Sequence, residues 1–134
     1  MPLRDADLHF VDDENRTAPQ PAPFHIGHSF FTLADACAAR DKEWDPEGVI
    51  TPSFSGLELG GECGEALNDI KKLERERLGL RGSRSTVDKL AKELADILIC
   101  VQNVANRYNI NLPAATRDKF NETSIANNLL TRLG

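Results

Sequence analysis

Residues 58–73, Glu58-Leu-Gly-Gly-Glu-Cys-Gly-Glu-Ala-Leu-Asn-Asp-Ile-Lys-Lys-Leu73, sort into two stripes. Leu59, Cys63, Ala66/Leu67, Ile70 and Leu73 recur at the three- and four-residue steps of one helix face. Glu58, Glu62, Glu65, Asp69 and Lys72 recur at the same steps beside them. Residues 90–107 repeat the arrangement. Leu90, Leu94, Ile97/Leu98, Val101 and Val104/Ala105 are apolar, while Glu93, Asp96, Cys100, Asn103 and Arg107 form the second stripe. Two helices with apolar faces toward a core are therefore expected, each carrying a row of acids.

The helix boundaries follow from punctuation around these stretches. Thr32-Leu-Ala-Asp35 is a capping box that opens a first helix, expected to reach Trp44 and to end at Asp45-Pro46-Glu-Gly48. Thr51-Pro52-Ser53 starts the second, which should run to about Arg77 and stop in Gly79-Leu-Arg-Gly82. Ser85-Thr-Val-Asp88 reads as another capping box, opening a third helix to about Tyr108. Asn111-Leu-Pro113 opens a fourth, to about Leu130. No segment shows the period-2 alternation of a half-buried strand, so the fold class expected is all-α, with four helices. Residues 1–23 are acidic and end in Thr17-Ala-Pro-Gln-Pro-Ala-Pro23, an extended arm, and 24–134 form the single domain.

Composition narrows the chemistry. The 134 residues carry 16 Lys+Arg against 21 Asp+Glu, a net charge of −5, which argues against a nucleic-acid polymer as partner. Between Lys71 and Arg84, however, six bases meet two acids, a patch suited to a compact anion. Three cysteines without a CxxC pair imply neither a disulfide framework nor a zinc ribbon, and a cytoplasmic setting is expected. No apolar run reaches the ~18–20 residues of a membrane span, so no membrane partner is expected.

The acidic stripes would ordinarily be solvated faces. Here three glutamates are stacked without intervening lysines, although like charges at i, i+4 cost about 0.2–0.5 kcal/mol. Gly60, Gly61 and Gly64 interrupt the same helix at about 1 kcal/mol each against alanine, which makes sense if a backbone or ligand must approach closely. If the helices pack side by side, Glu62, Glu65, Glu93 and Asp96 converge, and four carboxylates share a site only when cations neutralise them. Hard oxygen ligands select Mg²⁺, with Mn²⁺ able to substitute.

Glu62-x-x-Glu65, 27 residues, then Glu93-x-x-Asp96 resembles the ExxE…ExxD signature of the MazG-like all-α nucleotide pyrophosphohydrolases. The resemblance spans roughly Phe31 to Asn128, through Leu59-Gly-Gly-Glu-Cys-Gly-Glu-Ala66, Glu93-Leu-Ala-Asp-Ile-Leu98 and Lys119-Phe-Asn121. The basic loop Arg75–Arg84 and the N-terminal arm depart from the general pattern.

The resemblance implies a MazG-like four-helix bundle that hydrolyses nucleoside triphosphates between the α- and β-phosphates, yielding monophosphate and pyrophosphate. It makes Glu62, Glu65, Glu93 and Asp96 ligands of about two or three Mg²⁺ ions, with Glu62 or Glu65 doubling as general base. Asn103 would contact substrate, and Lys119, followed by Asn121, would hold a phosphate. Arg107, Arg81 and Arg84 are further phosphate candidates. It also implies a homodimer or homotetramer and nucleotide pool control, with purine deoxynucleotides, dGTP first, as substrates to try. Trp44, the sole tryptophan, is expected in the core, with base stacking as the alternative. His25-Ile-Gly-His28 matches a synthetase motif without the α/β context that motif needs, and reads as coincidence. The rival reading of the whole chain is a non-enzymatic helical regulatory or interaction module with solvated acidic faces.

Overall fold

Each helix starts where a short polar side chain can satisfy a backbone N–H that has no partner within the helix. The computed structural model describes residues 32–134. The N-terminal arm, His25, His28, Phe30 and Phe31 lie outside the described residues. Thr32 forms the expected capping box with Asp35 and opens α1 (Leu33–Trp44). Thr51 accepts from the Phe54 N–H and opens α2 (Pro52–Arg77), with proline in the first turn. Asn111 caps α4 (Leu112–Ala126) through the Ala114 N–H. The fold is all-α, with four helices and no strand among the described residues.

Two boundaries differ from the sequence reading. The cap of α3 (Val87–Arg107) is Thr86, whose hydroxyl accepts from the Lys89 N–H, and not Ser85. Ser85 is instead buried beside Asp69, whose carboxyl it helps hold below the usual range. α4 ends at Ala126 rather than Leu130. Asn128 takes the left-handed conformation (φ 55°), and the Leu129 N–H turns back to the Ser124 carbonyl at 2.8 Å. That is a Schellman ending. α2 closes in the same way at Gly79 (φ 67°), with the Leu80 N–H on the Arg75 carbonyl, and α3 at Asn109 (φ 53°), with the Ile110 N–H on the Ala105 carbonyl.

α2 and α3 form an antiparallel hairpin, the most extensive packing in the chain, and α1 lies along α3. Asn106 Nδ2 donates to the Ala34 carbonyl at 3.0 Å, and Arg107 pairs with Asp41 at 2.6 Å. α4 makes no substantial contact with the other helices. The α1–α2 connection is held by one side chain: Asp45 accepts from Val49 N–H (2.9 Å) and Ile50 N–H (2.7 Å). Those two bonds hold its carboxyl below the usual range, against an opposing push from burial.

The apolar stripes are only partly the interior of this chain. The buried hydrophobic side chains among the described residues are Cys37, Ala66 and Ala105, whereas Leu67 is 64% exposed, Ile70 45%, Leu94 52% and Leu98 55%. The seam between α2 and α3 runs along Ser55, Ala66 and Asp69, all buried, with Glu62 and Glu93 half-buried. It follows the border between the two stripes, so the hairpin has an acidic flank on one side and an apolar flank on the other. Trp44 is likewise outside the core, 77% exposed, with the Arg40 guanidinium 5.6 Å from its ring centre.

Candidate functional site

The acidic flank gathers the predicted carboxylates. One oxygen each from Glu62, Glu93 and Asp96 lies within 4.8 Å of the others, bridging the middles of α2 and α3. Helical spacing explains the meeting: Glu62 sits on the seam of α2, and Glu93 and Asp96 are one turn apart on the opposing strand of the hairpin. Glu65 stands one turn along from Glu62, near enough for its charge to act on Glu93. Burial pushes the Glu93 carboxyl above its ordinary range, helped by the charge and hydrogen bond of Glu65 and by the charges of Asp69 and Glu62. Burial raises Glu62 as well, followed by the charges of Glu65, Asp96 and Glu58. Carboxylates held together at this cost are the ones a cation would relieve.

The arrangement fits a hard divalent ion. Oxygen ligands about 2.1 Å from Mg²⁺ lie about 3 Å apart when adjacent and about 4.2 Å when opposite, so the three side chains would draw inward by up to about 2 Å to share one ion. The Cys100 thiol lies next to the cluster and is pushed up by burial, then by Glu62, Glu58 and Asp96.

Along α3 in one direction, Asn103 and Arg107 line a cavity of about 340 Å³ against α1, with Cys37, Asp41 and Asn106. Arg107 is engaged there by Asp41 at 2.6 Å. Asn106 is engaged too, accepting from Gln102 at 2.9 Å and donating to Ala34. In the other direction an open pocket is lined by Glu65, Asp69, Glu93, Lys72, Lys89 and Lys92. Lys89 and Lys92 were not among the sequence candidates. Each precedes an acid by four residues and reads as half of an ordinary helix pair.

Other candidates lie apart from the cluster within this chain. Arg84 Nη1 donates to the Leu80 carbonyl, and Arg75 Nη1 binds the Ser83 carbonyl and hydroxyl, so these two arginines brace the basic loop. Arg77, near that loop, is twelve residues beyond Glu65, about 18 Å along the helix. Arg81 is exposed on the loop. On α4, Lys119 pairs with Glu122 at 2.8 Å, and the Asn121 amide exchanges two hydrogen bonds with the Leu133 backbone. The glycines Gly60, Gly61 and Gly64 meet no close approach within this chain, since an added Cβ would find nothing within 4 Å.

The fold and cluster define an all-α protein with a carboxylate cluster on a helical hairpin. The chain is 30% identical over 78 residues to the Gene 37 protein of Mycobacterium phage L5, covering 58% of this chain and 68% of that protein, and it belongs to the same family. No family model and no solved structure matches the chain. No helix among the described residues is long and apolar enough to cross a membrane.

Proposed function

We propose that this chain is a Mg²⁺-dependent nucleoside triphosphate pyrophosphohydrolase, releasing pyrophosphate and a nucleoside monophosphate. The observation that carries the reading is the meeting of Glu62, Glu93 and Asp96 within 4.8 Å on two helices whose acids match the ExxE…ExxD pattern. Glu62, Glu93 and Asp96 would hold the metal, which when bound neutralises phosphate charge and makes water a better nucleophile. Glu65 stands outside this set of three beside Glu93, and we assign it the general base. Asn103, with its amide on the cavity against α1, would contact the nucleoside, and Arg107 would form the wall behind it.

A second copy of the chain belongs to this reading. A described unit whose buried apolar side chains are two alanines and a cysteine has buried little core of its own. The uncovered Leu67, Ile70, Leu94 and Leu98 are what a homodimer, or a tetramer built from it, would cover. Lys119 and Asn121 on the outstanding α4 would then serve a neighbouring copy's groove.

The test is a panel of the eight common ribo- and deoxynucleoside triphosphates, assayed with Mg²⁺ for pyrophosphate. Pyrophosphate and monophosphate are expected as first products, with dGTP the first substrate to try. Orthophosphate as the first product, or no turnover with any of the eight, would overturn the proposal.

A further inference from the structure

The carboxylate cluster lies between two unlike pockets, and the difference assigns a direction to its occupant. Toward α1, Arg107 is neutralised by Asp41 at 2.6 Å and Lys42 is the one other cation, with Cys37, Asn103 and Asn106 in the remaining lining. Toward the α2–α3 loop, Lys72, Lys89 and Lys92 stand around the pocket that adjoins Glu65 and Glu93.

Two of these lysines, Lys89 and Lys92, leave the acids one helical turn ahead of them unpaired. Lys89 precedes Glu93 by four residues and Lys92 precedes Asp96 by four, yet neither i, i+4 pair closes; Lys72 pairs with Asp69 at 3.4 Å. Neither Lys89 nor Lys92 makes an ion pair within 4.0 Å among the described residues. Lys-before-acid is the weaker order for such pairs, and the acids turn instead toward the seam between the helices. Once a divalent ion takes up the charge of Glu93 and its neighbours, Asp69 answers Lys72 and lies in the field of Lys89, and Lys89 and Lys92 stand at the rim as cations without an ion pair.

We propose that Lys89 and Lys92, flanked by Lys72, hold the pyrophosphate half of the substrate, so that a triphosphate lies along the hairpin with its β- and γ-phosphates toward the α2–α3 loop and its nucleoside toward α1. This rests on the pyrophosphohydrolase reading for the identity of the substrate, and on the lysine pocket for its direction. The dimensions agree. Each lysine is rooted four residues, about 6 Å, from its carboxylate, within reach of the two phosphates beyond the α-phosphorus. Asn103 is seven residues past Asp96, about 10 Å the other way, the scale of a nucleoside. Lysine ammonium groups suit this task as mobile point charges that can follow pyrophosphate as it leaves.

The experiment is calorimetric titration of the full chain, in Mg²⁺, with inorganic pyrophosphate and separately with dGMP. It compares wild type with the doubly substituted Lys89→Gln/Lys92→Gln variant and the doubly substituted Lys89→Arg/Lys92→Arg variant. The glutamine variant should lose about tenfold or more in pyrophosphate affinity, with dGMP affinity within about twofold of wild type and unchanged helicity. The arginine variant should recover most of the pyrophosphate affinity. Equal losses for both ligands, no loss for pyrophosphate, or a wild type that does not bind pyrophosphate would overturn the assignment. The two readings fail separately. Turnover of triphosphates with pyrophosphate binding indifferent to the lysines sinks the direction alone, whereas lysine-dependent pyrophosphate binding without turnover sinks the hydrolase alone.

Discussion

The carboxylate cluster makes metal-free stability respond to pH in the direction opposite to ordinary acid denaturation. Glu62 and Glu93 are both held above the ordinary glutamate value of 4.5. A group raised in the folded state contributes stability that is complete below its unfolded pKa and is lost as pH rises through its folded pKa. Asp45 and Asp69 are lowered from 3.8, so their contributions persist above that value and are lost below it. The three histidines, His9, His25 and His28, all precede the described residues. Between about pH 4.5 and 7 the described helices therefore answer mainly to the raised glutamates. In chelator, the melting temperature should be higher at pH 5 than at pH 7, at one protein concentration.

Metal should reverse the order. At ten times its dissociation constant, an ion that binds only the folded state adds about 1.4 kcal/mol. For a unit of about 100 residues that is roughly 6–10 °C in melting temperature. The gain should be full at pH 7 and smaller at pH 5, where protons compete for the same oxygens. Glu62→Gln removes one ligand and relieves the repulsion together. Its metal-free melting temperature at pH 7 should equal or exceed wild type, and its response to Mg²⁺ or Mn²⁺ should disappear. Differential scanning fluorimetry of the two proteins, with and without metal at both pH values, reads all of these quantities. A wild type that melts lower at pH 5 than at pH 7 in chelator, or a Glu62→Gln variant that gains as much from Mg²⁺ as wild type, would refute the reasoning.

The remaining predictions concern what frames the groove. Asp45→Ala leaves the Val49 and Ile50 N–H groups without their acceptor, and should lower the melting temperature by about 5 °C or more at pH 7. The deficit should shrink as pH falls well below 3.8, through the lowered pKa at which the wild-type carboxyl takes up its proton. Gly82→Ala should cost about 1–3 kcal/mol in urea denaturation, because Gly82 holds φ 133° and a Cβ there would sit 2.9 Å from Arg75 Nη1. Leu98→Asp should shift sedimentation toward monomer or unfolded chain, as expected if the exposed apolar flank is a contact between copies.

How far the sequence reached depends on whether the physics involved is local. Thr32, Thr51 and Asn111 cap where they were read to cap, because a cap is decided within three residues. At Ser85-Thr86 two hydroxyls compete, and the choice follows from the tertiary fold: Ser85 is drawn to the buried side near Asp69, leaving Thr86 to accept from Lys89. The stop at Gly79 was legible because glycine favours the left-handed turn. Asn128 ends α4 four residues early by the same turn, with a side chain that only modestly favours it. Lys119 and Asn121 share a three-residue motif, but which groove they can reach depends on the direction α4 leaves Asn109, and no local pattern encodes that direction.

The stripes themselves were legible and their sidedness was not. Hydrophobicity says which residues require burial and is silent on which chain buries them. Reading the apolar stripe as the interior of one chain places Leu67 and Leu98 in a core, whereas the seam lies along Ser55, Ala66 and Asp69. This displacement is what makes the carboxylates useful. Had the two apolar stripes met face to face, Glu62 and Glu93 would have been carried to the outer edges of the hairpin, too far apart to share an ion. Packing on the border between the stripes brings the acids of α2 and α3 within 4.8 Å and turns the leucines away from them. A second copy covering the leucines would then stabilise the hairpin from the side opposite the groove, leaving the carboxylates and the lysine rim open to a ligand from solvent.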